Sequence, residues 1–97
     1  MRKTHWFDLT ARDFAALDKD RTIAVLPIAA TEQHGPHLSV GTDSIIAAGM
    51  VEEVTKRLPA ELSVLFLPIQ TIGKSNEHLR VPGTLTLSAE TLIRAWT

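Results

Sequence analysis

Cysteine is absent from the 97 residues. That one absence excludes disulfides, thiolate metal sites and cysteine nucleophiles together, and it permits a cytoplasmic chain. An excess of one charge is also missing. Ten Lys+Arg stand against eleven Asp+Glu, for a formal net charge of -1. No basic stripe runs along the chain, so nucleic acid is not an expected partner. No apolar run approaches the roughly 20 residues of a membrane-spanning helix, so no membrane partner is expected either. Met1-Arg2-Lys3 resembles the start of a signal peptide, but Thr4-His5-Trp6-Phe7-Asp8 supplies no apolar segment after it. There is no P-loop, no G-x-G-x-x-G and no H-E-x-x-H. Low-complexity stretches, linkers and composition breaks are missing as well. The expectation is a cytoplasmic chain of one domain, or part of one. Its 44% hydrophobic residues suffice for a core.

The elements read in the order helix, strand, helix, strand, helix. Thr10 caps a short helix over Ala11 to Leu17, with Asp13 at the reciprocal capping-box position. Thr22 to Leu26 is a continuous apolar run of strand length, ended by Pro27. Asp43 to Leu58 is a helix with Ala47, Val51, Val54 and Leu58 on one face. Gly49 inside it predicts a close approach to a neighbouring strand. Ser63 to Leu67 is a second strand, closed by Pro68. Pro82-Gly83 reads as a turn with glycine at positive φ. Ser88 caps a last helix that runs to the end of the sequence. A connection carrying a helix joins the two strands, so they are expected to be adjacent and parallel. The expected core is Ile23, Val25, Val51, Val54, Val64 and Phe66. Trp6, Phe7 and Trp96 are read as packing residues and His5 as surface.

The chemistry concentrates in Thr31-Glu32-Gln33-His34-Gly35-Pro36-His37-Leu38, followed by Gly41-Thr42-Asp43. Glu32 and His34 are two residues apart, which in extended chain points both side chains to one side. A carboxylate and an imidazole converging there begin a zinc- or manganese-type site. Asp43 falls in the first helical turn, where its charge is favoured and its two oxygens can bridge a pair of ions. The plainer reading is an exposed polar loop with a helix cap at Thr42 or Asp43. The second loop, Gly73-Lys74-Ser75-Asn76-Glu77-His78, also follows a strand end, where open α/β sheets place ligands. Glu77-His78 alone reads as a solvated pair. Ser75 does not sit in a G-x-S-x-G elbow, because position 77 is Glu.

Taken together, Leu26-Pro27-Ile28 through Glu32-Gln33-His34-Gly35-Pro36-His37-Leu38, with Gly41-Thr42-Asp43, resemble the first signature of the creatininase family of metal-dependent amidohydrolases. Gly73 to His78 and Pro82-Gly83-Thr84 resemble its second block. The resemblance spans about residues 6 to 97. It implies a three-layer α/β/α fold with parallel strands, here its incomplete N-terminal part, with residues 1–97 as one portion of a single domain. It implies a two-metal centre of zinc or manganese: Glu32 on one ion, His34 on the other, and Asp43 bridging. It implies Ser75 and His78 as catalytic residues near the substrate. The implied reaction is hydrolysis of a C–N bond in a small cyclic or linear amide, in a homo-oligomer, hexameric at full length. Family members are much longer, and their remaining ligands fall beyond residue 97. The alternative expectation is therefore a non-catalytic fragment that acts as an interface or weak metal-binding module.

Overall fold

The computed structural model describes residues 2–97. Its elements are α1 (Ala11–Ala15), β1 (Thr22–Val25), α2 (Thr42–Arg57), β2 (Ser63–Phe66) and α3 (Ala89–Trp96), with single 3-10 turns at Trp6–Asp8 and Asn76–His78. β1 and β2 pair in parallel, Thr22 with Ser63 through Val25 with Phe66. Each strand ends one residue before the expected limit, because Pro27 and Pro68 have no N–H to continue the ladder. The two chains nevertheless stay side by side. The Leu67 N–H donates to the Val25 carbonyl (2.8 Å), Gln70 to Pro27 (2.9 Å), and Ala29 to Gln70 (2.8 Å). This extension lays the two histidine-bearing loops next to each other at the carboxyl edge of the sheet.

Local signals set the helix ends. The Thr10 hydroxyl accepts from the Asp13 N–H and the Asp13 carboxylate accepts from the Thr10 N–H, a complete capping box. That backbone bond and the nearby Lys3 ammonium hold the Asp13 carboxyl below its usual pKa. α2 starts on Gly41 with no side-chain cap. At its other end the Arg2 guanidinium donates to the carbonyls of Leu58, Pro59, Ala60 and Leu62 at 2.8–3.3 Å. This places a cation on the negative pole of the helix and satisfies carbonyls that would otherwise lack partners. Ser88 caps α3 by accepting from the Thr91 N–H.

The core is smaller than the hydrophobic pattern implies. Leu65, Phe66 and Leu92 are its buried apolar residues. Of the six expected core residues, Phe66 is buried, and Val25, Val51 and Val64 are half-buried. Ile23 and Val54 are corrections, 52% and 45% exposed. The half-covered stripe of α2 is Ala47, Val51, Thr55 and Leu58, whereas Val54 lies with exposed Ile46 and Met50 at four-residue spacing. The helix is thus apolar on two sides and covered on one. Phe7 is also exposed rather than packed, while Trp6 packs at 4.6 Å against Phe14. The body measures 47 × 29 × 18 Å, with a radius of gyration of 16.1 Å. A compact chain of this length has about 12.5 Å.

Two backbone findings revise the expected pattern. Thr4 and His5 lie along the outer edge of β2, where the Phe66 N–H donates to the Thr4 carbonyl (2.8 Å). His5 is exposed as expected, but its backbone shields a strand edge. Gly49 meets no neighbour that a Cβ would touch, so no strand approaches it. The close approach is instead at Gly73, where a Cβ would stand 3.1 Å from the Ala29 carbonyl oxygen. Ala29 is itself hydrogen-bonded to Gln70 and cannot easily give way. Gly73→Ala is therefore expected to lower stability by about 1 kcal/mol, the crowding exceeding the entropic gain of alanine. Equal or raised denaturation midpoints would contradict this. At Gly83 the expected positive φ is present, at 94°.

Candidate metal centre

Residues 84–87 lace the two loops together. The Leu85 N–H donates to the Thr31 carbonyl (2.8 Å) and the Leu87 N–H to the Gly73 carbonyl (2.9 Å). Between them the Thr84 hydroxyl accepts from the Gln33 N–H (3.0 Å), and the Thr86 hydroxyl accepts from the Ser75 N–H (2.8 Å). One four-residue segment thus pins the first loop with residues 84 and 85, and the second with 86 and 87. The Thr-Leu-Thr-Leu alternation was the available sequence signal for this extended lace. Thr84→Val keeps the shape and removes the acceptor. It is expected to cost about 1 kcal/mol of stability and to weaken metal binding roughly 10-fold by freeing Glu32 and His34. Unchanged affinity by calorimetry would contradict the positioning role.

Glu32, His34 and Asp43 come together as the spacing predicts, with one potential ligand atom from each lying within 4.8 Å of the others. His34 Nε2 is 3.2 Å from Asp43 Oδ1. Its other nitrogen, Nδ1, is 3.0 Å from the backbone carbonyl of Glu32. An N–H at Nδ1 donates there and leaves the Nε2 lone pair facing the carboxylates, the arrangement that orients imidazole ligands on metals. The Glu32 carbonyl, with help from the Asp43 carboxylate, holds the His34 pKa above its usual value. Asp43 sits in the first turn of α2, with its charge at the positive helix pole. Two carboxylates and an imidazole suit zinc or manganese. The donor set fits such an ion, although three side chains fall short of the four ligands of a complete zinc site.

Ser75 is 1% exposed, and its hydroxyl has no partner among the described residues. It lines a cavity of about 330 Å³ together with Glu32, Gln70, Lys74, Glu77 and Trp96. Trp96 is therefore partly a wall of that cavity rather than a core residue. His78 Nε2 stands 3.8 Å from Glu32 Oε2 and 3.9 Å from Glu77 Oε1. The Glu77-His78 pair is thus turned partly toward Glu32 instead of standing apart in solvent. Sequence reasoning passed over Glu77 as a ligand candidate; its place beside His78 in the second loop was the one available signal. His37 is exposed and belongs to neither convergent group.

The comparison with known families decides what these loops belong to. The family model described as creatininase, creatinine amidohydrolase, matches residues 7–97. The chain belongs to the creatininase family. Among creatininase relatives, the mycofactocin precursor peptide peptidase of Mycobacterium tuberculosis is 43% identical over 74 residues, covering 70% of this chain and 30% of that protein. The Mycolicibacterium smegmatis protein of the same name is 36% identical over 72 residues, covering 72% and 29%. The chain thus spans about 30% of the length of these relatives. A variant creatininase complexed with creatine superposes with a TM-score of 0.78 at 24% identity, over 97% of this chain and 37% of the other. A manganese creatininase gives 0.76 at 26% identity, over 94% and 36%. The fold is accordingly an incomplete α/β creatininase-like fold. No described helix is long and apolar enough to cross a membrane.

Proposed function

We propose that this chain is the N-terminal portion of one creatininase-like domain and supplies part of the metal centre of an amidohydrolase. Glu32, His34 and Asp43 would hold zinc or manganese, with Asp43 placed to bridge two ions. A divalent ion there would supply Lewis acidity toward a carbonyl and would ease the loss of a proton from water, making it a stronger nucleophile. The chain's own residues then position and orient. The Glu32 carbonyl fixes the His34 tautomer, and α2 presents Asp43. Ser75 and His78 of the second loop would serve the substrate, a role supported by the cavity that Ser75 shares with Glu32 and by the 3.8 Å between His78 Nε2 and Glu32 Oε2. The convergence of Glu32, His34 and Asp43 carries this reading. Solved creatininases in zinc–zinc and manganese forms support the choice of metals.

The substrate would be an amide C–N bond. The relatives with the higher sequence identity are named as peptide peptidases, which favours a linear peptide amide over a cyclic one. A protein of the relatives' length carrying this segment is expected to hydrolyse such an amide with zinc or manganese and to lose turnover on His34→Ala. Turnover that needs neither metal nor His34 would overturn the reading.

A second reading has support of its own. The described residues offer three side chains to the first centre, and the chain covers a minor part of its relatives. By itself it would then bind metal without turnover. A 97-residue preparation that turns over an amide with metal would sink this second reading.

A further inference from the structure

We propose that Thr86 is the positioning residue of the second loop, holding Ser75 and His78 in place for a substrate, while Thr84 separately holds the metal-bearing loop. The two threonines are two residues apart in extended chain, so both side chains leave it on the same side. Both are half-buried, whereas Leu85 between them is exposed. The Thr84 hydroxyl accepts from the Gln33 N–H at 3.0 Å, between Glu32 and His34. The Thr86 hydroxyl accepts from the Ser75 N–H at 2.8 Å. Its own proton has the Asn76 side-chain oxygen and the Leu87 carbonyl at 3.5 Å, both longer than an ordinary O–H···O bond. Accepting from Ser75 is therefore the main bond of this hydroxyl.

Among the described residues, this is the one hydrogen bond from the main chain of residues 74–78 to a segment outside the loop. The rest of the turn hangs from it. The Ser75 carbonyl accepts from the His78 N–H at 3.1 Å, which closes the Asn76–His78 turn. A shift of the Ser75 main chain is thus passed to His78, whose Nε2 stands 3.8 Å from Glu32 Oε2. Ser75 is 1% exposed, so no water is at hand to replace a lost acceptor for its N–H. Upstream, Gly73 is already held by the Leu87 N–H and crowded by the Ala29 carbonyl. Strain at Ser75 can relax only toward Asn76, Glu77 and His78. The inference rests on the amidohydrolase reading for what the loop serves, and on the hydrogen bonds alone for what holds it.

Hydrogen exchange of the 97-residue chain, resolved to single amides by NMR, reads the two anchors directly. Thr86→Val keeps the shape of the side chain and removes the acceptor. It should speed exchange of the Ser75 amide roughly 5-fold, the strength of one ordinary hydrogen bond, and leave the Gln33 amide at the parent rate. Thr84→Val should do the reverse, and Thr86→Ser, which keeps the hydroxyl, should match the parent. Zinc affinity by titration calorimetry should fall in Thr84→Val and hold in Thr86→Val. In a protein of the relatives' length carrying this segment, Thr86→Val should lower kcat/KM for a linear peptide amide roughly 10-fold, since small misplacements beside a reacting group are costly. Excess zinc should restore turnover to Thr84→Val and not to Thr86→Val. Equal acceleration of both amides in each variant, zinc affinity that falls alike in both, or zinc rescue of Thr86→Val would overturn this inference and leave the metal centre standing. A parent chain that binds no zinc would overturn the metal-centre reading and the separate roles built on it.

Discussion

Asp43→Asn is expected to lower zinc or manganese affinity by roughly 100-fold or more, since residues that merely support a ligand already cost 10–100-fold. The substitution nearly preserves volume, replaces one acceptor oxygen by a donor and removes the charge. Asp43 is 3.2 Å from His34 Nε2 and is the acidic residue in the first turn of α2. No other described carboxylate shares both His34 and Glu32 as neighbours in a convergent group. His34→Ala should cause a comparable loss, and His37→Ala should leave affinity unchanged. Proton competition adds a direction. The His34 pKa is raised, so the imidazole keeps its proton to higher pH, and binding must displace it. Affinity should therefore rise with pH through that raised value and fall below it. Titration calorimetry at several pH values measures both effects. Unchanged affinity in Asp43→Asn would remove the basis for the metal centre.

The second large effect concerns association. The chain exposes 7181 Å², against about 5,500 Å² for a compact monomer of its mass. The excess is of the order buried in a standard protein–protein interface. It includes Ile45, Ile46, Met50 and Val54 on α2, Ile23 in β1, and Leu26 and Ile28 just beyond that strand. Large apolar side chains gathered on the surface of a free chain drive association. Sedimentation velocity at micromolar concentration is expected to show species of at least twice the 10.7 kDa chain mass. Ile46→Lys with Met50→Lys should shift the distribution toward monomer while metal binding persists, because neither residue belongs to a convergent metal group. A stable monomer that binds no hydrophobic dye would show that this surface is tolerated as drawn.

Much of the fold was legible because its signals are local. The capping box at Thr10 and Asp13, the cap at Ser88, the proline after each strand and the glycine at position 83 act within a few residues of themselves. The parallel pairing of β1 and β2 followed from the helix in their connection. The burial pattern was less legible. An apolar residue reports a preference for burial but not whether a partner exists, and Ile23 and Val54 have that preference without the cover. Gly49 and Gly73 show the same limit. The sequence marks both as glycine, and only the placement of the Ala29 carbonyl shows which one is crowded.

The site divides along the same line. The period-two spacing of Glu32 and His34 and the helix-start position of Asp43 are properties of the chain itself, so the first three candidates could be named from the sequence. Glu77, which lies 45 positions from Glu32, could not be linked to it in that way. The parallel register brings the ends of β1 and β2 level, and hydrogen bonds beyond Pro27 and Pro68 keep the loops together. Residues 84–87 then fix both loops through two backbone donors and two hydroxyls. The sequence alone thus determined the element types, the parallel sheet and the ligand chemistry of the first loop, because these depend on spacing and composition within short segments. Only the tertiary structure decided that His78 and Glu77 turn toward Glu32, that the Ser75 hydroxyl is buried without a partner, and that α2 keeps an uncovered apolar side. Those facts depend on distances between segments far apart in the chain, which no local pattern records.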